Sequence, residues 1–171
     1  MKNPDKLYLV GFMGAGKSTV GKALSALKGF EFIDLDSFIE KTANSKIPEI
    51  FSEFGEEKFR ELETESLVKV SELKGKTVVS TGGGIMLNPE NIHIMKTTGT
   101  TIYLKAGIET IWERIKDDRG RPLLNVENPL STATELLNSR KHLYEGADII
   151  VETDNLTPQM ISEKINKVIY S

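Results

Sequence analysis

The chain contains no cysteine. That excludes a disulfide scaffold, a thiolate zinc site and a cysteine nucleophile. Its two histidines, His93 and His142, are too few to build a histidine metal site. There is no basic surplus either: 22 Lys and Arg stand against 25 Asp and Glu, for a net charge of −3. A general nucleic-acid binder normally shows the opposite balance, so that class is disfavoured, though a local basic patch is compatible with this composition. No apolar run approaches the roughly 18 residues of a membrane helix. Met1–Lys6 has neither the apolar core of a signal peptide nor an arginine-rich presequence. A cytoplasmic protein without membrane or nucleic-acid partners is expected. What remains is ordinary globular composition, 39% hydrophobic and 27% charged over 171 residues. One domain spanning 1–171 is expected, large enough to bury roughly 70% of its unfolded surface.

Apolar runs of strand length alternate with helical stretches. Leu7–Val10, Phe30–Ile33, Thr77–Val79, Thr100–Leu104 and Asp148–Val151 read as strands covered on both faces. Between them, Glu56–Leu73 carries an imperfect helical period. Asn88-Pro89 and Thr157-Pro158 each read as an N-cap followed by proline at the first helical position. The β-α-β-α order predicts a parallel sheet wrapped by helices in three α/β/α layers. Asp117–Pro129 interrupts the rhythm with a long polar stretch and reads as a lid loop, about 117–129.

Gly11-Phe12-Met13-Gly14-Ala15-Gly16-Lys17-Ser18-Thr19 fits G-x-x-x-x-G-K-[ST] between a predicted strand and a predicted helix. The backbone amides of Gly14, Ala15 and Gly16 and the helix N-terminus suit phosphate oxygens. Lys17 reaches the β- and γ-phosphates of ATP, Ser18 is placed to ligate Mg²⁺, and Thr19 follows in the same turn. No N-K-x-D guanine reader is present. Asp117-Asp118-Arg119-Gly120 matches D-x-x-G only in the wrong context, after a helix. A small-molecule kinase is favoured over a GTPase.

Asp34 and Asp36 stand just past the second strand, where ligands of open parallel sheets bind. One carboxylate suits the Mg²⁺ water shell and the other an acceptor hydroxyl. The competing use of Asp36 is to cap a helix beginning near Ser37. Arg60 lies in an acidic helix, where an i,i+3 pair with Glu63 on a solvated face is the competing use. Gly82-Gly83-Gly84 ends the third strand and permits close backbone approach, or is a flexible turn. Arg119 and Arg121 in the lid suit transition-state charge. Arg140 alone is unremarkable. Phe51 and Phe54 read as core, with a place on the substrate side as the alternative, and Trp112, the methionines and both histidines as structural.

Taken in order, the phosphate loop 11–19, D-x-D at Asp34 and Asp36, and F-R-x-x-E at Phe59–Glu63 resemble the shikimate kinase family. The glycine triplet 82–84, R-P-L-L at 121–124 and Arg140 with Leu143-Tyr144 complete a likeness over nearly the whole chain. The resemblance implies the nucleoside-monophosphate-kinase fold, a P-loop kinase with a five-stranded parallel sheet in order 2-3-1-4-5. It implies an alcohol-group phosphotransferase that moves the ATP γ-phosphoryl to the 3-hydroxyl of shikimate, on the route to chorismate and aromatic amino acids. Mg²⁺ is the implied cofactor and a monomer the implied state. Lys17, Asp36 and Arg121 are the implied catalytic residues. Asp36, Arg60, Gly82, Gly83, Gly84 and Arg140 are the implied substrate contacts, on a substrate side formed by helices at about 36–62. Ser18 and, through water, Asp34 face the metal. The family often places a basic residue against adenine in the last loop. Thr153-Asp154-Asn155-Leu156 stand there instead, so contact through backbone and apolar atoms is expected. The rivals are a gluconate-type kinase of the same fold and a non-catalytic ATP-binding regulatory domain.

Overall fold

The computed structural model describes residues 4–118 and 124–170. Arg119 and Arg121, with Pro122 and Leu123 of the lid motif, lie outside the described residues. Leu124 is described and buried.

Five strands form one sheet: β1 (Lys6–Val10), β2 (Glu31–Asp34), β3 (Thr77–Ser80), β4 (Thr100–Lys105) and β5 (Ile149–Glu152). All pairings are parallel and the order is β2-β3-β1-β4-β5, as expected. β1 is central and every residue in it is buried. Its side chains alternate between two cores, as a strand's period of two requires. Tyr8 and Val10 join Phe12, Phe59, Leu67, Tyr103 and Tyr144 on one face. Leu7 and Leu9 join Val20, Leu24, Ile161 and Ile165 on the other. The second core is closed by α1 (Lys17–Lys28) and α7 (Pro158–Tyr170). The first is closed by α2 (Leu35–Ala43), α3 (Ile47–Glu72), α4 (Pro89–Thr98), α5 (Ile108–Ile115) and α6 (Pro129–Tyr144).

Local chemistry sets the boundaries. Asn88 caps α4, its carboxamide oxygen accepting from Glu90 N at 2.9 Å, and Thr157 Oγ1 accepts from Met160 N at 3.2 Å. α6 starts at Pro129 behind the Asn128 cap, so Pro129 is the first residue of a helix and not the end of a loop. The predicted helix at Glu56–Leu73 is the rear part of α3, which begins at Ile47 and kinks at Gly55. Gly55 has φ 80°, which only glycine adopts without strain, and the front part points elsewhere. Among the described residues no helix is long and apolar enough to cross a membrane.

Candidate active site

β1 ends at Val10 and the chain turns through the glycine loop into α1. Gly14 has φ 75° and Gly16 φ 90°, conformations a side chain would strain. Because Gly16 is the residue before the first helical turn, the loop amides and the α1 N-terminus gather at one point. Lys17 is buried, and its Nζ donates to the carbonyls of Gly11 at 2.7 Å and Phe12 at 2.8 Å. Ser18 Oγ donates to Asp34 Oδ2 at 2.6 Å and lies 3.1 Å from Ser80 Oγ. These groups line a cavity of about 270 Å³ together with Thr19, Thr81 and Asp36.

The competing use of Asp36, capping the helix, is not the one it has. The capping role falls to Asp34, whose Oδ1 accepts from Ser37 N at 3.0 Å. Asp36 sits in the first turn of α2 and lines the same cavity, and its Oδ1 is buried with no hydrogen-bond partner among the described residues. Burial, and next the charge of Asp34, push its carboxyl above the ordinary value, against the pull of Lys17.

Asp36 also lines a second cavity of about 310 Å³, which Met13, Gly82 and Gly83 share with the first. Its walls carry two arginines. Arg60 is held by Glu63 at 2.9 Å and Glu56 at 3.0 Å. The Glu63 pair is not the solvated surface contact the acidic helix suggested: Glu63 is 0% exposed. Burial pushes the Glu63 carboxyl up while Arg60 pulls it down. Arg140 is 6% exposed, on α6, and lines the same cavity; its neighbours are the Tyr144 hydroxyl and the charge of Glu63, and among the described residues no salt bridge neutralises it. A buried guanidinium without a salt-bridge partner, facing a cavity, is costly and suits an anion.

Gly82, Gly83 and Gly84 have no left-handed φ, so the triplet is not there for backbone freedom. Its glycines are required by close approach. A Cβ at Gly82 would stand 2.6 Å from Glu63 Oε1 and 3.2 Å from Asp36 Oδ1. One at Gly84 would stand 2.4 Å from Arg60 Nη1. Phe51 meets both expectations: it packs against the core beside Phe59, centroids 4.8 Å apart, and lines the second cavity. Phe54 meets neither, being 57% exposed next to the kink at Gly55.

A third cavity of about 240 Å³ opens beside the phosphate loop, between Arg114 of α5 and Leu156 and Pro158 before α7. Arg114 donates to Gly14 O at 2.9 Å. The sequence carried no sign of Arg114, an exposed arginine in no motif. Asp154 faces away, accepting from Gly107 N at 3.1 Å, so the apolar side of its loop meets the cavity.

A phosphate loop on the central strand, meeting an arginine-walled pocket at a carboxylate, defines a P-loop phosphotransferase for a small anionic acceptor. The comparisons with known proteins give the particular family. The shikimate kinase family model matches residues 13–170. The chain is 46% identical to the shikimate kinase of Thermodesulfovibrio yellowstonii over 98% of this chain and 94% of that protein. It is 44% identical to that of Caldicellulosiruptor bescii, over 96% and 94%. Among solved structures, shikimate kinase from Acinetobacter baumannii in complex with shikimate superposes with a TM-score of 0.93 at 38% identity, covering 98% of this chain and 94% of that one. The chain belongs to the shikimate kinase family.

Proposed function

We propose that this chain transfers the γ-phosphoryl group of ATP to the 3-hydroxyl of shikimate, giving shikimate 3-phosphate and ADP. The observation that carries this reading is Asp36 at the junction of the two cavities, with buried Arg140 lining the second. Gly14, Ala15, Gly16, Lys17, Ser18 and Thr19 hold the ATP phosphates. For this, Lys17 exchanges its two loop carbonyls for phosphate oxygens. Leu156 and Pro158 provide an apolar wall for adenine, with Arg114 opposite.

Arg60 and Arg140 hold the acceptor carboxylate, which suits forked guanidinium donors. Gly82–Gly84 let the ring lie against the backbone. The acceptor hydroxyl donates to Asp36 Oδ1, the oxygen left without a partner. Phosphoryl transfer through a loose transition state needs chiefly positioning and charge stabilisation. Asp36 therefore orients the hydroxyl and takes its proton late, and a raised pKa suits it for that.

Ser18 and Asp34 are hard oxygen donors already in contact, a set that fits Mg²⁺ carried in by phosphates. When bound, the ion neutralises charge on the β- and γ-phosphates. Among the described residues there is no cluster of three metal-ligating side chains, in keeping with an ion held largely by its substrate. A monomer working on soluble substrates in the cytoplasm belongs to the same reading.

The test is ADP release from Mg-ATP with shikimate, with gluconate and with no acceptor. Release with shikimate alone is expected. Release with gluconate would overturn the acceptor assignments, and no release from folded, ATP-binding protein would favour a regulatory domain.

A further inference from the structure

The Gly83 carbonyl accepts a hydrogen bond from the hydroxyl of Tyr144, 61 residues later in the chain. Tyr144 is fully buried, and its ring stacks on Tyr103 with centroids 5.2 Å apart. The ring therefore keeps its place without the hydrogen bond, and the hydroxyl is aimed by packing. In a trans peptide the carbonyl and the following N–H point in opposite directions. Anchoring the Gly83 carbonyl toward α6 thus turns the Gly84 N–H the other way. Gly84 lines the arginine-walled cavity, and among the described residues its N–H donates no hydrogen bond. A buried amide left free in this way is rare without a ligand to receive it.

The same helix carries Arg140, one turn before Tyr144, and residues four apart on a helix share a face. We infer that Tyr144 is a positioning residue: its hydroxyl locks the Gly83–Gly84 peptide so that the Gly84 amide faces the acceptor, and it ties that loop to the helix that delivers Arg140. Burial pushes the Tyr144 phenol up to about 12, while the nearby Arg140 pulls it down. The hydroxyl therefore stays a donor throughout the neutral range.

This inference rests on the acceptor reading above, and its test separates the two. Wild-type turnover with shikimate establishes that reading on its own. Tyr144→Phe keeps the ring and the stack and removes only the hydroxyl, with its bond to Gly83 and its contact with Arg140. The expected result is a shikimate KM raised about tenfold, with the ATP KM unchanged. A folded variant with both constants unchanged beside an active wild type, or with both raised alike, would overturn the positioning role. Should the variant fail to fold, backbone amide NMR of the wild type decides. The Gly84 amide proton is expected to move downfield on saturation with shikimate, and an unmoved resonance would overturn the inference.

Discussion

Gly84→Ala isolates what close approach does in the acceptor site. Gly84 has φ −99° and ψ 5°, which alanine tolerates, so the substitution adds a methyl group and no backbone strain. That methyl would stand 2.4, 2.5 and 2.6 Å from Nη1, Nη2 and Cζ of Arg60. Ordinary contact requires the guanidinium to retreat by about 1 Å. Arg60 is held at 2.9 Å by Glu63 and 3.0 Å by Glu56, so a retreat weakens at least one pair. The pair with Glu63 matters more, because Glu63 is fully buried and its Oε1 already lacks a partner. Weakening the support of a buried carboxylate costs about 2 kcal/mol, or about 4–8 °C in Tm for a chain this long. The displaced guanidinium also loses its aim at the acceptor carboxylate, and the shikimate KM rises at least about tenfold. The ATP KM is unchanged, since the phosphate loop is untouched. Gly29→Ala is the control. Its φ is 65° and nothing lies within 4 Å, so it costs about 1 kcal/mol through backbone strain alone. It should lower Tm while leaving both KM values as they were. Steady-state kinetics and thermal melts of the two variants suffice. Wild-type shikimate KM in Gly84→Ala would refute the steric argument.

Other outcomes follow from the same geometry. Lys17→Ala should cut kcat by at least about 10³-fold in folded protein, measured as ADP release. Asp36→Asn should lower kcat by about 10²–10⁴-fold and yet raise Tm at pH 7. A carboxyl whose folded pKa is raised contributes stability fully below its unfolded value, and that contribution is lost as pH rises through the folded one. The stabilisation by asparagine should accordingly shrink as the pH of the melt is lowered toward 4. For the same reason the acidic limb of the wild-type kcat/KM profile for shikimate should lie above the usual carboxylate range. Arg114→Ala should raise the ATP KM and leave the shikimate KM alone.

The sheet was legible because the strands are short runs rich in Val, Ile and Thr, most with Gly or Asp at one boundary, and the phosphate loop because its spacing has one structural use. The front of α3 was not legible. Gly55 resets the helix axis, so no single period runs through Ile47–Glu72. The D-x-D pair was legible as a pair but not in its division of labour. The sequence put the possible cap on Asp36, whereas α2 begins at Leu35 and leaves Asp34 as the capping residue and Asp36 in the first turn. Glu63 and Arg140 look alike in sequence to many surface charges, and only burial separates them from those. The contacts of Tyr144 with Gly83 and of Arg114 with Gly14 join residues 61 and 100 positions apart, beyond the reach of any local pattern.

The central claim is that Asp36 presents one particular hydroxyl of an acid held by Arg60 and Arg140. Proton–phosphorus correlation NMR of the product made from ATP and shikimate tests it most directly. The account predicts a single product with phosphorus coupled to the proton on carbon 3. Phosphorus at another position, or spread over several hydroxyls, would contradict it.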